Sequence, residues 1–129
     1  MENKLDLNHQ IKVSMTPHYQ KNQKVPGARH MFSYQVTIHN NSIEDLQLIR
    51  RHWFITAGVV GVREVEGEGV IGEKPIIKPN DSYTYQSWCP ISEDFGSMSG
   101  YFTFLVVRTG ELGFANIDTT LLIPNQSLN

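Results

Sequence analysis

The chain has 129 residues, of which 40% are hydrophobic and 19% charged. That fits one domain with its own core and excludes a disordered tail, a coiled coil or a solvated helical rod. A formal net charge of −2 leaves no global basic field for nucleic acid or an acidic membrane surface.

From the N-terminus, Met1 to Asn8 alternates polar and apolar residues without the basic-then-hydrophobic layout of a secretion signal. Ile11, Val13 and Met15 alternate with Lys12 and Ser14, which predicts a half-buried strand that stops before Pro17. His18 to Ala28 is polar and carries Pro26-Gly27, so a loop is expected. Phe32, Tyr34, Val36 and Ile38 then alternate with Ser33, Gln35 and Thr37. This is the cleanest strand pattern in the chain.

Leu46 to Thr56 is extended but of mixed parity. Leu46 and Leu48 share one face, whereas Ile49, Trp53 and Ile55 share the other. Either a β-bulge switches the register or the strand is buried on both sides in places. Val59 to Val65 reads as a short strand, followed by the glycine-rich stretch Gly67 to Gly72 and by Pro75 and Pro79. Ser82 to Trp88 is a strand with Tyr83 and Tyr85 on one face. Met98 to Val106 is a long apolar strand, and after Thr109-Gly110 the chain returns from Leu112 to Ile123. Asn125 to Asn129 is expected to fray. Its longest apolar run, Phe104 to Val107, is far short of a bilayer span. Seven to eight strands and no strong amphipathic helix make an all-β fold, an antiparallel β-sandwich or barrel. One domain over 1–129 is expected, with its ordered core at about 9–124.

Gly67-Glu68-Gly69-Val70-Ile71-Gly72 matches G-x-G-x-x-G. In a dinucleotide-binding fold such glycines let the backbone approach a pyrophosphate held at the next helix N-terminus. Pro75 and Pro79 forbid a helix here, because proline in a helix interior costs about 3 kcal/mol. Glu66, Glu68 and Glu73 add repulsion toward phosphate, which Arg63 and Lys74 offset in part, and Asp94 stands at the spacing of a ribose-binding acid with no βαβ unit between. The motif therefore reads as a tight connection or, alternatively, as an anion-binding nest of amides.

Cys89 is the single cysteine, so no intrachain disulfide forms, and a small apolar filler or a partly exposed thiol is the expected role. His9, His18, His30, His39 and His52 hold no zinc spacing, and the Glu64, Glu66, Glu68, Glu73 series reads as a solvated rim. Arg50 and Arg51 are adjacent strand residues and so point to opposite faces. No catalytic or metal-ligating constellation is assigned.

Phe32-Ser33-Tyr34-Gln35-Val36-Thr37-Ile38-His39-Asn40, Leu46 to Thr56, Glu64 to Pro75, Tyr83-Thr84-Tyr85-Gln86-Ser87 and Gly96 to Tyr101, in this order, resemble the ApaG family, also called CorD. The match runs from about Ile11 to Leu122. It departs at Ser87-Trp88, where the family has a small Ser-Gly pair, and at Asn116-Ile117-Asp118-Thr119, where it carries proline.

The resemblance implies a fibronectin type III-like or immunoglobulin-like sandwich in a small cytoplasmic protein of poorly defined biochemical role. Relatives are often encoded beside a diadenosine tetraphosphate hydrolase, some are associated with cobalt tolerance and magnesium efflux, and in eukaryotes the same domain occurs within an F-box protein and a DNA polymerase delta-interacting protein. The family's glycine loop maps onto Gly67, Gly69 and Gly72. The expected function is a non-enzymatic protein-interaction domain without cofactor. The alternative is a small-ligand module that takes nucleotide or pyrophosphate at Gly67, Gly69 and Gly72. No nucleic-acid or membrane partner is expected, and a homodimer through an exposed sheet edge is compatible with the pattern, with no residue marking the edge.

Overall fold

A computed structural model describes residues 4–59 and 61–124. Among these, the chain forms β1 (Leu5–Asp6), β2 (Ile11–Tyr19), β3 (His30–Asn40), β4 (Leu46–Ala57), β5 (Gly61–Glu68), β6 (Ile76–Ile77), β7 (Ser82–Ile91), β8 (Gly96–Val106) and β9 (Leu112–Leu122), and no helix. Seven are full strands; β1 and β6 are two-residue additions. One sheet has the order β1-β9-β8-β4-β5 with β6 also on β4, and the other has β2-β3-β7. All pairs except β1–β9 are antiparallel. Three long strands facing four make the expected fibronectin type III-like sandwich.

The core follows the alternation in sequence. Phe32, Tyr34, Val36 and Ile38 of β3 meet Trp53, Phe102 and Phe104 of the opposite sheet in one buried cluster. In β4 the parity change is a bulge: Leu48 pairs with Phe104, but Arg50 pairs with Thr103. One extra residue rotates the strand, so Leu46 and Leu48 before it, and Trp53 and Ile55 after it, are all buried. The same rotation turns Arg51 inward.

Several boundaries differ from the sequence reading. β2 runs through Pro17 to Tyr19 instead of stopping before Pro17. The amide of Gln20 donates to Met31, and that of Asn41 donates to Gln10. Even-numbered residues of β2 therefore face β3, and Pro17 spends its missing N–H on the free edge, where proline is tolerated. Leu7 is buried after the β1–β9 pairing. β5 starts at Gly61 and continues through Gly67 to Glu68, so the first glycine of the motif is ladder and not loop. Val60 and the Asn125–Asn129 tail lie outside the described residues. β9 runs through Asn116–Thr119, and its irregular register against Met98 and Gly100 places a bulge there.

Asn40 is a buried polar anchor at the end of β3. Its Nδ2 donates to the carbonyls of Glu44 (2.7 Å) and Ile77 (2.8 Å), and its Oδ1 accepts from the Ser42 amide and hydroxyl. These bonds satisfy the side chain and tie the β3–β4 turn to β6.

Candidate functional site

The glycine motif is a hairpin at the place where β4 changes neighbour. β5 pairs with Arg50 to Ala57, and β6 pairs with Leu46 and Gln47. Between them the chain leaves the ladder, and the Gly69 amide donates to the Ile49 carbonyl (2.8 Å). Val70 and Glu73 exchange both main-chain hydrogen bonds, at 2.8 and 2.9 Å. Ile71 and Gly72 between them have φ of 50° and 75°, the signs of a type I′ turn. Val70 is fully buried and pins the hairpin to the core.

Each predicted glycine thus has a structural duty. Gly67 pairs with Arg51 in the ladder. Gly69, at φ 62°, lies so close to the Glu73 carbonyl that a Cβ would overlap it. Gly72 faces open space and supplies only its positive φ. The structure brings the three glycines together, with the Gly69 amide already engaged and no helix behind them.

A polar cleft lies beside the hairpin at the open side of the sandwich, between β5 and β7. Its volume is about 330 Å3, at the small end of the range for ligand pockets, and its lining includes Arg51, Tyr34, Tyr85, Ser87, Glu68 and Gly72. Arg51 Nη1 donates to the carbonyls of Glu68 (3.1 Å) and Gly69 (2.9 Å). Its Nε and Nη2 make no hydrogen bond among the described residues. The buried Tyr85 hydroxyl also lacks a partner there. Burial pushes the phenols of Tyr34 and Tyr85 up, opposed only in part by Ser87 and then Arg51 at Tyr34, and by Arg51 at Tyr85. Glu68, on the rim, is held low by its hydrogen bond to Lys74.

The outer face of the larger sheet carries a second cluster. His52 Nε2 lies 2.8 Å from Glu64, its Nδ1 3.6 Å from Glu66, and its ring stacks on Tyr101 at 4.9 Å. Arg50 pairs with Glu66 at 3.3 Å. Glu64 and Glu66 are exposed here, and among the described residues no group of three or more His, Cys, Asp or Glu is placed to hold a metal ion. Asp94 sits in the β7–β8 turn, paired with Arg29 at 2.7 Å. His30 packs at the start of β3 against the Tyr19 hydroxyl. Cys89 is a buried filler whose thiol burial pushes up to about 11.

At the sandwich end nearest the β7–β8 turn, a groove of about 430 Å3 is lined mainly by apolar groups, including Val25, Pro26, Ala28, Ile55, Val62 and Ile91. Val62 is also solvent-exposed, and so are Val59 and Phe95 on neighbouring turns; Gly58 beside Val59 donates to the Phe95 carbonyl. Trp88 is 56% exposed on β7, which places the departure at Ser87-Trp88 on a sheet edge.

Sequence reasoning missed Arg51, Tyr85 and the end groove. A signal existed for Arg51, which shares parity with Trp53 and Ile55. The groove gathers residues from four separate segments and left no local pattern.

The chain matches the family model described as the ApaG domain over residues 20–106. It is 44% identical over 94 residues to Protein ApaG of Mesorhizobium japonicum, covering 72% of each chain. It is 41% identical over 101 residues to Protein ApaG of Chromohalobacter salexigens, covering 78% of this chain and 80% of that one. Among solved structures, a structural-genomics target superposes with a TM-score of 0.85 at 34% identity, over 93% of this chain and 91% of that one. A Bordetella pertussis protein described as ApaA superposes at 0.82 and 34%, over 90% and 94%.

Proposed function

The chain belongs to the ApaG family, and on that premise we propose that it is a non-enzymatic protein-interaction domain of the cytoplasm. The observation that carries this reading is the apolar end groove, lined in part by exposed Val62, with exposed Val59 and Phe95 on neighbouring turns. Contiguous exposed apolar surface costs solubility and is retained where a partner covers it. A lone buried thiol suits a reducing compartment. The family's association with cobalt and magnesium is read as indirect, acting through the partner.

Affinity capture with the intact protein tests this reading, followed by calorimetry with the recovered partner. Val62→Glu is expected to abolish capture while leaving the fold intact, since Val62 is exposed. Capture that ignores a charge in the groove, or turnover of a small substrate by the purified protein, overturns it.

A second reading, a module for nucleotide or pyrophosphate at Gly67, Gly69 and Gly72, has one observation in its favour: the Arg51 donors and the partnerless Tyr85 hydroxyl beside the hairpin. On this reading side chains, rather than the engaged Gly69 amide, contact the anion. Millimolar pyrophosphate then shifts the NMR signals of the three glycine amides and of Arg51 Nε, and Arg51→Met removes the effect. Unmoved signals discard the reading.

A further inference from the structure

A sandwich of two open sheets has four outer strands, and three of them are blunted. β1 is two residues long. β2 carries Lys12 and sets Pro17 on its free edge. β5 carries Arg63, Glu64, Glu66 and Glu68. Charge, proline and short length are the usual protections against edge-to-edge pairing. β7 differs: Ser82 to Ile91 has ten residues, none charged, and its proline stands next to last.

The hydrogen bonds show which groups this edge presents. The Asn40 amide donates to Asp81, and the Arg29 amide to Ile91. Odd-numbered residues of β7 therefore direct their main-chain groups to β3. Ser82, Thr84, Gln86 and Trp88 direct theirs outward, and β7 has no ladder partner besides β3 among the described residues. The side chains of these four are exposed. At Pro90 the outward carbonyl is already met by Arg63 Nη2 at 3.4 Å.

From this we infer that β7 is a homodimerisation edge, pairing antiparallel with β7 of a second copy about a two-fold axis at Gln86. This register sets Thr84 opposite Trp88 and Ser82 opposite Pro90, so every outward amide of the strand gains a carbonyl. It also lays Trp88 against the partner's Thr84, an aromatic–β-branched cross-strand pair. The three-stranded sheets merge into one of six. Charge favours this edge: β7 itself carries no charged residue to repel its copy, Arg63 reaching only its Pro90 end, whereas self-pairing through β5 would bring its glutamates together. The end groove shares Pro90 and Ile91 with this strand but not Gln86, Thr84 or Trp88, so tests at Gln86 let either inference fail alone.

Sedimentation velocity of the full chain tests it. Wild type is expected to be dimeric. Gln86→Lys and Gln86→Glu each place like charges face to face at the axis and raise the dissociation constant by at least about tenfold. Mixing the two variants restores the dimer. Gln86 is exposed, so both variants should keep the wild-type circular dichroism. In wild type, the Thr84, Gln86 and Trp88 amides become protected from hydrogen exchange as protein concentration rises. A monomeric wild type, a dimer indifferent to both charges, or amides whose exchange ignores concentration overturns the inference.

Discussion

Arg51 lies directly over Gly67: a Cβ at that glycine would stand 2.9 Å from Nη2 of the guanidinium. The absence of a side chain lets Arg51 reach the Glu68 and Gly69 carbonyls and hold the hairpin against β4. The glycine spacing that resembles a phosphate loop is, in this fold, set by two unrelated contacts and one positive φ.

Those differences rank three substitutions. Gly69→Ala combines a left-handed φ with overlap on the Glu73 carbonyl and should cost about 2–5 kcal/mol. Gly72→Ala meets open space and pays only for its φ, about 1–2 kcal/mol. Gly67→Ala displaces a movable guanidinium and costs about 1–2 kcal/mol through lost hydrogen bonds. Thermal or denaturant unfolding checks the order, and equal effects at all three would contradict it.

Ile71 is β-branched at φ 50° and exposed. A type I′ turn favours Asn or Gly at that position. Ile71→Asn should therefore stabilise the protein by about 1 kcal/mol, raising the melting temperature by about 2–6 °C. A lower melting temperature would mean that Ile71 contributes packing that outweighs its strain.

Strand parity made the sandwich legible, and the Leu48–Arg50 bulge could be placed within a few residues. Pro75 and Pro79 correctly excluded a helix after the glycines. The hairpin was not legible, because Ile71-Gly72 lacks the Asn-Gly signature and because Val70's anchoring role depends on the opposite sheet. Pro17 misled for a similar reason: a proline's effect depends on whether its missing N–H faces a neighbour or an edge, and single-residue rules do not include that. Of the candidate site, the three glycines were visible, while Arg51 and Tyr85 became a cleft only when the bulge turned Arg51 inward beside β7.

Burial raises the Cys89 thiol from 9.0 to about 11. The unfolded chain ionises its thiol first, so this contribution is whole below about pH 9 and is lost as pH rises toward 11. The loss is on the order of 2–3 kcal/mol. The tyrosines, also raised, add to the decline at higher pH. Denaturant titrations from pH 8 to 10.5 should show the fall, and Cys89→Ala should delay its onset. An onset unchanged in the variant would assign the loss to other groups.

Excess Mg2+ or Co2+ should leave the melting temperature unchanged, as expected of an indirect link to metal. A ligand at 100 times its dissociation constant stabilises by about 2.7 kcal/mol, so direct binding would be visible as a shift of several degrees.

Amide hydrogen exchange at Gly69 and Val70 tests most directly whether the glycine motif is a locked part of the sandwich. Both amides should exchange as slowly as those in the middle of β4, because they donate to Ile49 and Glu73. Exchange at the rate of an unstructured peptide would contradict the hairpin and reopen the motif as a loop awaiting a ligand.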